Sequence, residues 1–81
     1  MKFTDAVYEA FENIAGIGRA ELDEDPEFDL VENSILDSLI VMSILTYLEE
    51  HFGYALDIKK ISGNDLVTFP RFLAALQKQV A

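Results

Sequence analysis

Eighty-one residues with a net charge of −9 and no cysteine describe one small acidic domain without disulfides or thiolate metal sites. A hydrophobic fraction of 51% and an aromatic fraction of 11% exclude a disordered tail. The acidity disfavours nucleic acid and anionic membranes as partners and favours basic protein surfaces.

The acid is unevenly spread. Residues 1–40 carry 11 acidic and 2 basic side chains, whereas residues 41–81 carry 4 of each. A domain this small buries only a modest core, so packing has to supply its stability. Met1-Lys2-Phe3-Thr4-Asp5 has no long apolar run, so a signal peptide is not expected. The longest apolar cluster, residues 39–48, is interrupted by Ser43 and Thr46 and is too short to span a bilayer. The chain is therefore expected to be soluble, cytoplasmic and monomeric.

Phe3, Val7, Phe11 and Ile14 recur at helical spacing, and Gly16 and Gly18 follow them. This predicts a first helix over residues 3–15. Residues 19–36 show no sustained period and read as a loop. Seven of the twelve residues 21–32 are acidic, and Pro26 interrupts them. Phe28, Leu30, Ile35 and Leu36 are expected to pin this loop to the core. Loops of this length are uncommon in compact domains and are usually functional or disordered.

Val41, Ile44, Leu45, Leu48 and Phe52 then fall on one helical face, and Gly53 follows as a stop. A second helix is predicted over residues 37–52, with Asp37 opening it and Ser38 in its first turn. Leu56, Ile58 and Ile61 are apolar anchors in the next loop, and residues 62–66 form a short helical turn. Thr68 suits an N-cap and Pro70 a first turn. Phe69, Phe72, Leu73, Leu76 and Val80 share one face, predicting a last helix over residues 69–79. No segment alternates like a strand. The expected fold is all-α: three main helices, a short third helix, and a long loop between the first two.

Leu36-Asp37-Ser38-Leu39 is the segment that carries chemistry. A serine in the first turn of a helix sits among unpaired backbone N–H groups at the positive pole of the helix dipole. A phosphate on its hydroxyl is favoured there. Asp37 can cap the helix. It can also help bind a metal ion or a basic residue of a modifying enzyme. Taken alone, Asp-Ser-Leu is a common tripeptide.

Its context is more specific. Asp37-Ser38-Leu39 follows a long acidic loop and precedes Leu48-Glu49-Glu50-His51-Phe52-Gly53. This order resembles the acyl carrier protein family over essentially the whole chain. There, Asp-Ser-Leu starts the second helix, and an aliphatic-acidic-acidic-x-Phe run ends it. The resemblance implies that a phosphopantetheinyl transferase attaches 4′-phosphopantetheine from coenzyme A to Ser38. The arm's thiol would then carry an acyl or aminoacyl group as a thioester. A ligase would load it, and a downstream synthase or acyltransferase would take it. In related carriers the cargo can also fold back between the helices. On this reading the chain is not itself an enzyme, and it needs no catalytic base and no metal.

The resemblance also puts partner docking on the second helix. The corresponding residues are Leu39, Ile40, Met42 and Ser43 in its first half and Thr46, Tyr47 and Glu50 in its second. Carriers of the fatty-acid type are often acidic two and five positions after the serine; here Ile40 and Ser43 stand there. A helical wheel sets Ile40, Ser43 and Tyr47 roughly opposite Leu45. They form either a hydrophobic partner surface or apolar residues tucked under loops. The departure points away from housekeeping fatty acid synthesis and towards a dedicated pathway.

Other signals are weaker. Counted from Asp23, an EF-hand would need Gly and Glu where Phe28 and Ser34 stand. His51, the one histidine, lies about 20 Å along the helix axis from Ser38, too far for a nucleophile–base pair. Lys59, Lys60, Arg71 and Lys78 are too few and too interleaved with acid to form a nucleic-acid patch. The competing function is a small acidic helical interaction module with no prosthetic group, in which Ser38 is only a helix cap.

Overall fold

The computed structural model of the chain describes residues 2–80. Four α-helices carry the fold, and the described residues contain no strand. Helix α1 spans Phe3–Ala10 and runs on through a wider π-type turn, Phe11–Ala15. Gly16 ends it in the left-handed conformation, φ 73°, which glycine adopts without a Cβ clash. Together these cover the predicted residues 3–15.

Helix α2, Arg19–Glu24, occupies a stretch that reads in the sequence as loop. It is short and buries a single side chain, Leu22, so it leaves no apolar period to detect. Its support is tertiary. Arg19 reaches Asp5 of α1 at 2.8 Å and Asp23 at 3.8 Å, and its guanidinium lies 4.1 Å from the centre of the Tyr8 ring. The Tyr8 hydroxyl donates to Asp23. Arg19 is the only lysine or arginine between Lys2 and Lys59, and three groups, Asp5, Asp23 and the Tyr8 ring, converge on it.

Helix α3, Ser38–Phe52, is the longest and the most central. It buries Val41, Ile44, Leu45 and Leu48, the periodic residues. Gly53, φ 77°, closes it, with its N–H on the Glu49 carbonyl and the Tyr54 N–H on that of Leu48. Two 3₁₀ turns follow, Ile58–Lys60 and Gly63–Leu66, where the sequence predicts one short turn. The second is held by a capping box between Ser62 and Asp65. Those hydrogen bonds, chiefly the one from the Ser62 backbone, hold the Asp65 carboxyl below the ordinary carboxylate range.

Helix α4, Phe69–Val80, begins after Thr68, whose hydroxyl accepts from the Arg71 N–H at 3.4 Å. Its buried Phe69 and Phe72 meet Phe11 edge-on at 5.0 and 5.5 Å between ring centres. Tyr8 packs on Phe69 from the other side, 4.6 Å away. The core is therefore one cluster to which α1, α3 and α4 all contribute, with α1 packed against both of the others. Phe11, Phe72, Ile44, Leu48 and Leu76 are wholly enclosed, and among the described residues no polar side chain is buried with them.

Candidate functional site

The segment before α3 is built to deliver its first residue in a fixed place. Leu30 and Leu36 are buried, and Phe28 and Ile35 pack against the core beside them. These are the four residues expected to anchor the loop. The Leu30 N–H donates to Val67 at 2.7 Å, tying the loop to the far side of the bundle. The Leu30 carbonyl accepts from both Ile35 and Leu36, at 2.8 and 2.9 Å. Between them, Asp29 folds its carboxylate onto the N–H groups of Val31 and Glu32. Ser34 completes the reversal with φ 60°, an uncommon value for a residue with a side chain. Within the acidic stretch, Asp25 and Asp29 are engaged in their own turns and Asp23 with Arg19 and Tyr8. Among the described residues, no group of three or more acidic or histidine side chains could hold a metal ion.

Asp37 is extended, φ −140° and ψ −179°, and its carboxylate accepts from the Ile40 N–H at 2.8 Å. This is a side-chain N-cap on the third N–H of α3. Ser38 is the first helical residue and is exposed. No hydrogen bond among the described residues engages its hydroxyl. With the Ile40 N–H taken by the Asp37 carboxylate and the Val41 N–H by the Asp37 carbonyl, the Ser38 and Leu39 N–H groups are the ones without a partner among the described residues.

Leu39 is 76% exposed and Met42 is 54% exposed. They are large apolar side chains standing in solvent immediately beyond Ser38. Ser43 and Thr46 continue the free face, and charge returns only at Glu49 and Glu50. Of the two alternatives left open for Ile40 and Tyr47, a partner surface or a tucked position, the structure favours the tucked one. Neither projects from an outer face; both are half-buried and packed against the core. The reason is the position of α1, which lies along that flank of α3. The Tyr47 hydroxyl reaches across to Glu9 and donates to it at 2.8 Å. That bond and partial burial raise the Tyr47 hydroxyl above the ordinary tyrosine range. The ring also stacks on exposed His51, 4.2 Å between centres.

Two grooves flank α3. The larger, about 350 Å³, lies between α3 and the end of α1. Leu39, Met42 and Ile14 line its apolar end, and Ser43, Thr46, Tyr47, Glu50 and His51 the rest. The smaller, about 210 Å³, lies between α3 and residues 56–58. Its helix side is Met42, Leu45, Thr46 and Glu49. Met42, Leu45 and Glu49 stand four, seven and eleven residues after Ser38, so this groove runs along the same line of the helix as the serine.

The groove's outer wall was not legible in the sequence. Asp57, at its middle, is held by Gln79 of α4, twenty-two residues away. No local spacing connects that pair. Comparison with known protein families, with characterised proteins and with solved structures finds no match to this chain.

Proposed function

We propose that this chain is a carrier protein of the acyl carrier type, with Ser38 as the attachment point of a 4′-phosphopantetheine arm. The observation that carries the reading is the state of Ser38. It is exposed, free of internal hydrogen bonds, and first in a fifteen-residue helix whose cap is already supplied by Asp37. A phosphodiester on its oxygen would meet unpaired N–H groups and the positive end of the dipole.

The chemistry asks little of the chain. A phosphopantetheinyl transferase joins the Ser38 oxygen to the phosphate of coenzyme A and releases the nucleotide part. Ser38 is that enzyme's substrate and afterwards a tether. The tether holds a thioester at high effective concentration near each partner's active site. A ligase loads it with an acyl or aminoacyl group, and a synthase or acyltransferase receives it. The groove along the Ser38 line offers a returning chain apolar contact with Met42, Leu45, Leu56 and Ile58. Exposed Leu39 and Met42 lie where any enzyme reaching Ser38 has to cover them. Docking there is apolar rather than acidic.

The test is a mass measurement after incubation with coenzyme A, Mg²⁺ and a broad-specificity transferase. The wild type gains one phosphopantetheine and Ser38→Ala gains none. No gain on the wild type, or an equal gain on Ser38→Ala, refutes the carrier reading. The exposed Leu39–Met42 pair also favours a second reading, an interaction module without a prosthetic group. In that case Met42→Glu abolishes partner capture while Ser38→Ala leaves it intact.

A further inference from the structure

We propose that Gln79 is a positioning residue: its amide latches residues 56–58 in place as the outer wall of the groove on the Ser38 line, and so sets whether a short acyl chain carried on Ser38 is shielded there. The cargo half of this inference rests on the carrier reading; the latch itself does not.

The segment between α3 and the second 3₁₀ turn is anchored at both ends. At its start, the Tyr54 N–H is bound to Leu48, and the Tyr54 ring meets Phe3 edge-on at 4.7 Å. At its end, the Ser62 N–H is held by Asp65 at 2.8 Å. Between these points the bonds are mostly local. Lys59 donates to the Asp57 carboxylate, Lys60 to the Asp57 carbonyl and Ile61 to the Ile58 carbonyl. Among the described residues, the only hydrogen bonds that tie residues 55–61 to another element are the two made by Gln79.

Those two form a matched pair. The Gln79 Oε1 accepts from the Asp57 N–H at 2.7 Å, and its Nε2 donates to the Asp57 carbonyl at 3.0 Å. One planar amide therefore satisfies both backbone groups of a single residue, as a neighbouring strand would. A side chain needs a donor and an acceptor side by side to do this, which Gln has and Glu at neutral pH lacks. Asp57 is the middle residue of the wall, with half-buried Leu56 and Ile58 on either side facing the groove. Without the latch, apolar contacts of Leu56 and Ile58 alone keep the wall closed on α3. Segments with few hydrogen bonds to their surroundings open locally at low cost. The groove is about 210 Å³, with Met42, Leu45, Leu56 and Ile58 among its lining residues, which suits a short chain lying along it.

The experiment has two arms. In the first, native-state hydrogen exchange is measured on the unmodified chain as wild type, Gln79→Ala and Gln79→Glu at neutral pH. Both variants should exchange the amides of residues 57–61 about tenfold or more faster, with the amides of residues 44–48 unchanged. Unchanged exchange in the wall, or equal acceleration in α3, overturns the proposal. In the second, amide shifts of Leu56 and Ile58 are compared between acetyl and hexanoyl thioesters on the Ser38 arm. The shifts should differ in the wild type and coincide in Gln79→Ala. Coinciding shifts in the wild type, or a difference that survives in Gln79→Ala, overturn the link to cargo. A chain that refuses the arm altogether defeats the carrier reading, and the exchange measurement then decides the latch by itself.

Discussion

Replacing Asp37 by alanine isolates what holds the start of α3. The carboxylate accepts from the Ile40 N–H at 2.8 Å and sits at the positive end of the helix. Loss of a side-chain N-cap costs about 1 kcal/mol, within a range of roughly 0.5–2. Loss of a negative charge beside the dipole adds about 0.3–1 kcal/mol. For a domain of this size each 1 kcal/mol lowers Tm by about 4–8 °C. Asp37→Ala should therefore melt about 5–15 °C below the wild type, followed by circular dichroism. Asp37→Asn keeps an acceptor and loses only the charge, so it should fall by less than half as much. Equal losses for the two variants, or no loss for alanine, would refute the cap as the organising feature. The same variants bear on modification. A frayed first turn leaves Ser38 without a fixed N-terminal frame, so Asp37→Ala should lower kcat/KM for arm transfer even well below its melting temperature.

Other consequences can be checked together. Phe72→Ala removes a wholly enclosed ring that meets Phe11, and should cost about 3–5 kcal/mol in urea unfolding. Leu39→Glu and Met42→Glu touch no core contact, so they should leave the urea midpoint within about 0.5 kcal/mol while raising KM for the transferase. Alkaline pH supplies a further test through the tyrosines. Burial and then the Asp23 hydrogen bond raise the Tyr8 hydroxyl, and the bond to Glu9 raises that of Tyr47. A group whose folded pKa is raised gives stability that is complete below its unfolded value and disappears as pH climbs through the folded one. Stability should thus decline above about pH 10, and the decline should weaken in Tyr47→Phe. At the acid end the sign is reversed. Asp65 is depressed by its capping box, so its contribution is present above the ordinary aspartate range and lost as pH falls beneath it. Asp65→Asn should flatten that loss.

Much of the bundle was written in local pattern. The apolar period of residues 3–15, 37–52 and 69–79 predicts three helices and most of the faces they bury, Val80 being exposed instead, because each helix presents its own repeat whatever surrounds it. Asp37, Gly16 and Gly53 mark ends for equally local reasons: a side chain that can cap, and residues free to take positive φ. The place of Ser38 in the first turn of α3 follows from these signals alone. Tertiary structure decided the rest. Helix α2 is fixed through contacts outside itself: Leu22 is buried in the core, and Arg19 meets Asp5 and the Tyr8 ring on a different helix. Ile40 and Tyr47 pack against the core, and Tyr47 is bonded to Glu9 of α1, a choice that a wheel drawn for one helix leaves open. The outer wall of the groove on the Ser38 line is hydrogen-bonded through Asp57 to Gln79 of α4, twenty-two residues away. Periodicity records how a segment relates to itself; the partners that close a site are separated in sequence, and folding alone brings them together.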